Sequence, residues 1–164
     1  MPLTAEQIAA ERARLVAEAQ SWVGTPYHTG GRIKGVGVDC LTFVVCAFEG
    51  AALIAPYKIP HYPPDWHLHR DDERYMRGIL EHCVEVAERP LPADVVLWKF
   101  GRAFAHGAIV IDWPIIVHAE LQVRRVIAAD ALRNARMVTI GERVADQGKP
   151  RPRKVFRLKQ WAAP

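Results

Sequence analysis

The chain has 164 residues, half of them hydrophobic, with 22 basic and 18 acidic side chains, a net charge of +4 and a pI of about 9.1. That length and apolar share support one folded domain whose core needs neither disulfide nor metal, and they exclude a chain disordered throughout. The basic excess is too dilute to argue for nucleic acid and suits an anionic surface such as a bacterial envelope.

The start, Met1-Pro-Leu-Thr-Ala-Glu-Gln7, lacks the basic-then-apolar pattern of a signal peptide, and no run reaches the length of a membrane span. The expectation is a protein made in the cytoplasm that does not use the general secretory route. Thr4 to Gln7 reads as a capping box, and apolar residues at Ile8, Leu15, Ala19, Trp22 and Val23 predict a first helix over about 5–23, ended by Gly24. Thr25-Pro26-Tyr27 leaves it as a turn. A loop rich in glycine (Gly30, Gly31, Gly35, Gly37) follows, suited to walling a cleft, and stops at Asp39-Cys40.

Leu41 to Glu49 is apolar at helical spacing and runs into Gly50, so a second, buried helix is predicted over 40–49, with Asp39 as its N-cap. Residues 51–70 keep no period and contain Pro56, Pro60, Pro63 and Pro64, which predicts an irregular surface excursion. Asp71 or Asp72 can cap a third helix to about 82, with Tyr75, Met76, Ile79 and Leu80 facing in. Cys83 to Ala87 alternates like a short strand. Strands are predicted at Asp94–Phe100, His106–Asp112, Ile115–Leu121, Val123–Ala128 and Lys154–Leu158, with a weaker one at Met137–Ile140. The basic residues that cluster at the end (Lys149, Arg151, Arg153, Lys154, Arg157, Lys159) read as a solvated edge strand. Helices first and strands after predict an α+β fold, a central antiparallel sheet with the helices packed on one face. No repeat or linker interrupts it, so 1–164 reads as a single domain.

Three cysteines with no CxxC pair argue against a disulfide framework. Cys40 stands apart. At a helix start its thiol meets unpaired N–H groups and the positive end of the dipole, which favour the nucleophilic thiolate; Cys46, in the same helix, has no such setting. A thiolate nucleophile needs a base, and the base needs an orienting partner. His106 opens one strand and His118 lies in the next, twelve residues on. A hairpin with its apex near Asp112-Trp113-Pro114 would pair residues summing to 224, set His106 opposite His118 and turn that face toward the N-terminus of the second helix. Ala108 and Val110 would share the face of the histidines, and Ile109 and Ile111 the other. A one-residue slip, with Trp113-Pro114 as a two-residue turn, would separate the rings unless a bulge intervened. His61, His67, His69, His82 and Cys83 also cluster, and His67-x-His69 on an extended segment could offer two ligands to zinc. No four-ligand spacing emerges, so no metal or other cofactor is expected.

Five blocks then combine: Trp22-x-Gly-Thr-Pro-Tyr-x-x-Gly-Gly31, Val38-Asp-Cys-x-x-Phe-Val44, Pro92-x-Asp-Val-Val-Leu-Trp98, His106-Gly-Ala-Ile-Val110 and Ile116-Val-His-Ala119. In order and spacing they resemble the NlpC-type cell-wall cysteine endopeptidases, papain-like enzymes that cut the peptide stems of bacterial peptidoglycan. Tyr62 to His69, with Glu73-Arg-Tyr75, resembles the branch carried by tailed phages and gene transfer agents. The resemblance implies Cys40 as nucleophile, His106 as base, His118 as the third member, Tyr27 in the site and Asp39 holding the substrate's free amine. It further implies stem peptides as substrate, tail or baseplate proteins as partners, and action at the cell wall. Three departures stand out. Leu41-Thr42 replaces a small pair after the cysteine, Ala93 stands where a glycine is usual, and 122–150 matches nothing in the pattern. A tail-assembly protein that keeps the fold without catalysis, and a papain-like acyltransferase, are the alternative readings.

Overall fold

Thr4 starts the first helix as its neighbours dictate. Its side chain accepts from the Gln7 N–H while the Gln7 side chain accepts from the Thr4 N–H, so two helix-end donors are satisfied reciprocally. The computed structural model describes residues 2–69, 72–134, 138–139 and 149–162. Helix α1 is Ala5–Ser21, with Trp22 as C-cap, and Gly24 beyond it takes a positive φ of 93°. Leu15, Ala19 and Trp22 are buried, whereas Val23 is half exposed rather than inward.

A short ribbon, β1 (Arg32–Ile33) and β2 (Gly37–Val38), precedes α2 (Cys40–Gly50). The excursion after α2 is irregular down to the single turn α3 (Trp66–His69). The backbone that carries His67 and His69 is thus helical rather than the extended segment expected. Helix α4 is Arg74–His82. Its N-cap is Glu73 without a side-chain cap bond, not Asp71 or Asp72; Asp71 lies outside the described residues, and the Asp72 carboxylate binds Arg74 and Arg77 instead. Tyr75 and Ile79 are buried as expected, but Leu80 is exposed. No helix among the described residues is long and apolar enough to cross a membrane.

Strands β3 (Cys83–Val86), β4 (Val95–Phe100), β5 (Ala103–Asp112), β6 (Ile115–Glu120), β7 (Arg125–Asp130) and β10 (Arg153–Leu158) form one antiparallel sheet in the order β3-β10-β4-β5-β6-β7. A separate pair joins β8 (Val138–Thr139), within the weaker predicted strand whose Met137 and Ile140 lie outside the described residues, to β9 (Lys149–Pro150), which was not predicted. The α+β layout stands, with one correction. The basic final strand is not at an edge: β10 pairs with β3 on one side and β4 on the other, and Val155, Phe156 and Leu158 are buried. Its charges are matched by neighbours, Lys154 by Glu85 and Arg157 by Asp94.

Alternation divides the sheet into two apolar faces. Val95, Leu97, Ile109, Val117 and Phe156 pack with Leu15, Ala19, Phe43, Ala47 and Ile79 in the core shared with the helices. Val96, Trp98, Ala108, Val110, Ile116 and Val155 form a second cluster on the other face.

Candidate active site

The site begins with the start of α2. Asp39 Oδ1 accepts from Leu41 N at 3.0 Å and Thr42 N at 2.8 Å, and the Asp39 N–H donates to Thr42 Oγ1 at 2.9 Å. Thr42, a departure from the family pattern, is thus the reciprocal half of a capping box. The cap fixes Cys40 at the first helical residue. From α4, the Tyr75 hydroxyl donates to the Cys40 carbonyl at 2.7 Å, and it occupies the space that a Cβ on Gly107 would fill, 2.0 Å away. Gly107 therefore lets α4 reach across β5 and brace the helix start.

The strands supply the rest through two bulges. Trp98 pairs with His106 but Lys99 with Phe104, which leaves Ala105 as an extra residue in β5; the Cys40 thiol donates to its carbonyl at 3.6 Å. At the far end Asp112 pairs with Ile115 around the two-residue turn Trp113-Pro114, whose peptide bond is cis. This is the slipped register, and a bulge at Ile111 corrects it. Val110 pairs with Ile116 and Ile109 with Val117, so partners sum to 226 rather than the expected 224. Two is an even error. His106 and His118 still share a face, as diagonal neighbours, and His106 Nε2 lies 2.9 Å from His118 Nδ1 with the rings at 87°.

That face is the one with Trp98, Ala108 and Val110, opposite Ile109, as expected. Farther along the strand that face turns from the body of α2, and Gly107, on the alternate side, is the residue that meets α4. At the start of β5 the face reaches the N-terminus of α2, where Cys40 and His106 line one cleft with Tyr27, Asp39, Leu41, Tyr62, Trp66 and Phe100. His106 is 5 % exposed and His118 is fully enclosed. The Trp98 and Phe100 rings flank His106 at 6.4 Å and 5.4 Å between centroids, which limits its rotation.

Neither other cysteine competes with Cys40. Both are buried; burial raises the Cys46 thiol and pushes Cys83 up to about 12. Among the described residues no group of three His, Cys, Asp or Glu is placed to hold a metal ion.

No protein-family model matches the chain, and no curated protein matches it. Solved structures do. The NlpC/p60 domain of the peptidoglycan hydrolase SagA superposes with a TM-score of 0.52 at 20 % identity, over 73 % of this chain and 88 % of that one. The peptidoglycan hydrolase RipB of Mycobacterium tuberculosis gives 0.57 at 18 %, over 94 % and 68 %. NlpC1 of Trichomonas vaginalis gives 0.60 at 15 %, over 90 % of this chain but 44 % of that one, so this chain spans less than half its length. The fold is the NlpC/p60 fold.

Within this NlpC/p60 fold, three side chains join the site that sequence reasoning did not single out. Glu120 is 2 % exposed with Oε2 at 3.9 Å from His118 Nδ1; its position two residues beyond His118 on one strand was the available signal. Tyr75 had only its inward phase on α4. Tyr62, whose hydroxyl donates to Asp39 Oδ2 at 2.5 Å, comes from the excursion and had no periodic signal at all.

Proposed function

We propose that this chain is a cysteine peptidase that hydrolyses amide bonds in the peptide stems of bacterial peptidoglycan. The observation that carries the reading is the 2.9 Å contact of His106 Nε2 with His118 Nδ1, beside a cysteine held at a capped helix start in the same cleft. With its Nε2 proton donated to His118, His106 presents Nδ1 as the base. It takes the Cys40 proton, and the thiolate attacks the amide carbonyl. The oxyanion is met by the Cys40 N–H at the helix start, a donor worth about 3 kcal/mol in comparable sites. His106 then protonates the leaving amine; water adds to the thioester with His106 again as base, the carboxylic acid leaves, and the thiol is restored. Glu120 adds a buried negative charge that favours the imidazolium form during transfer.

The finer reading is a D-glutamyl–diamino acid endopeptidase carried on a phage-type tail and delivered to the cell wall. Its support is the resemblance of the 62–75 block, of which Tyr62 and Trp66 line the cleft. The experiment is digestion of purified sacculi followed by mass spectrometry of the released muropeptides. Wild-type protein, Cys46→Ala and Cys83→Ala should release fragments that Cys40→Ala does not. Equal release by Cys40→Ala would end the cysteine-peptidase reading, and fragments cut at sugar bonds would reassign the chemistry.

A further inference from the structure

Asp39 has one oxygen to spare, and a residue of the excursion holds it. Oδ1 is committed to the N–H groups of Leu41 and Thr42. Oδ2 accepts from Gly30 N at 2.7 Å and from the Tyr62 hydroxyl at 2.5 Å. Burial, with Asp39 alongside, holds the Tyr62 phenol well above its usual range, so it stays a donor to the carboxylate.

The same contact closes the cleft. Tyr62, Pro64 and Trp66 stand among its walls with Cys40 and His106, and they leave about 80 Å³. That space admits a few waters, against the several hundred Å³ usual for a small ligand. A second cavity of about 430 Å³ shares Leu41, Tyr62 and Trp66 with the cleft and extends between α2, the excursion and α4, walled by Val44, Phe48 and Ile79. The covering segment therefore has open space behind it, and a shift of Tyr62 meets little packing resistance there.

We infer that Tyr62 is a specificity-determining gate, its hydroxyl standing at Asp39 Oδ2 in the place of a substrate's primary ammonium. The choice of substrate class rests on the peptidase reading above; the closure of the cleft does not. A free ammonium brings a full charge to the carboxylate and displaces a neutral phenol. A stem blocked at that amine offers no such exchange and leaves Tyr62 in place. Free-amine selectivity would then come from competition at Oδ2, in addition to attraction by Asp39.

Tyr62→Phe removes only the hydroxyl. Two measurements read it: the rate of Cys40 alkylation by iodoacetamide, taken across pH to its high-pH limit, and the ratio of kcat/KM for a free stem peptide over its N-acetylated form. Loss of a hydrogen bond to a charged group should raise the limiting alkylation rate about tenfold and lower the ratio by a similar factor. An unchanged alkylation rate would overturn the gate. Faster alkylation with an unchanged ratio would overturn its part in selectivity. Faster alkylation in a protein that cleaves no stem peptide would uphold the closure and sink the peptidase reading instead.

Discussion

Asp39 serves the helix cap, the glycine loop and the excursion with two oxygens, and that distribution sets what a substitution there does. From the sequence, asparagine is expected to keep the cap while removing the charge. The contacts add a cost. With its one oxygen toward Leu41 and Thr42, an asparagine side chain turns its NH2 group toward the Gly30 N–H and the Tyr62 O–H, where two donors already point. Asp39→Asn should lower stability by about 1–3 kcal/mol, the range for a polar group left without its partner. Chemical denaturation measures it, and a wild-type midpoint would show that the loop does not depend on Oδ2. Thr42→Ala tests the other half of the box, with an expected loss of about 1 kcal/mol by the same measurement.

The β5–β6 hairpin shows what could be read in advance and what could not. Side-chain alternation has a period of two, so the shared face of His106 and His118 was legible from their even separation, whatever the even register. The register itself was not: the turn at Trp113-Pro114 and the bulge at Ile111 cancel each other, and either alone would have parted the rings. Deleting Ile111 removes the bulged residue and leaves Val110 opposite Ile116 and Ile109 opposite Val117, so the rings should stay on one face and cleavage should persist; lost cleavage with near-native far-ultraviolet circular dichroism would mean that the bulge itself positions the pair. The caps of α1 and α2 and the β4–β7 strands were legible because their signals are local. The braces on the site, Tyr62 to Asp39 and Tyr75 to Cys40, join segments 23 and 35 residues apart and leave no pattern in either. Ala93, read as a departure from a usual glycine, has φ of 72°. A left-handed alanine costs about 1–2 kcal/mol, of which glycine's looser unfolded chain returns about 0.5–1. Ala93→Gly should thus raise the melting temperature slightly, and Ala93→Val, branched at Cβ, should lower it by several degrees.

At the scale of the molecule, Asp94 ties the ends of the chain together. Fully buried, it accepts from Arg12 of α1 at 3.1 Å, from Arg157 of β10 at 2.9 and 3.1 Å, and from Leu91 N at 3.0 Å. Asp94→Ala would leave Arg12 without its carboxylate and Arg157 with only the exposed Glu88 at 3.6 Å, and should cost about 3–5 kcal/mol in equilibrium unfolding. A loss below about 1 kcal/mol, the scale of an exposed pair, would show that the arginines find other partners. The same region carries a consequence for how the protein comes into being. A ribosome makes Arg153–Leu158 after every other strand of the six-stranded sheet, yet that strand belongs between β3 and β4. A nascent chain holding β3 to β7 has a slot in its sheet, two rows of unpaired N–H and C=O groups facing across it, and an Asp94 without Arg157. Until translation delivers the last strand, those rows are open to any passing extended segment, a neighbouring nascent copy included.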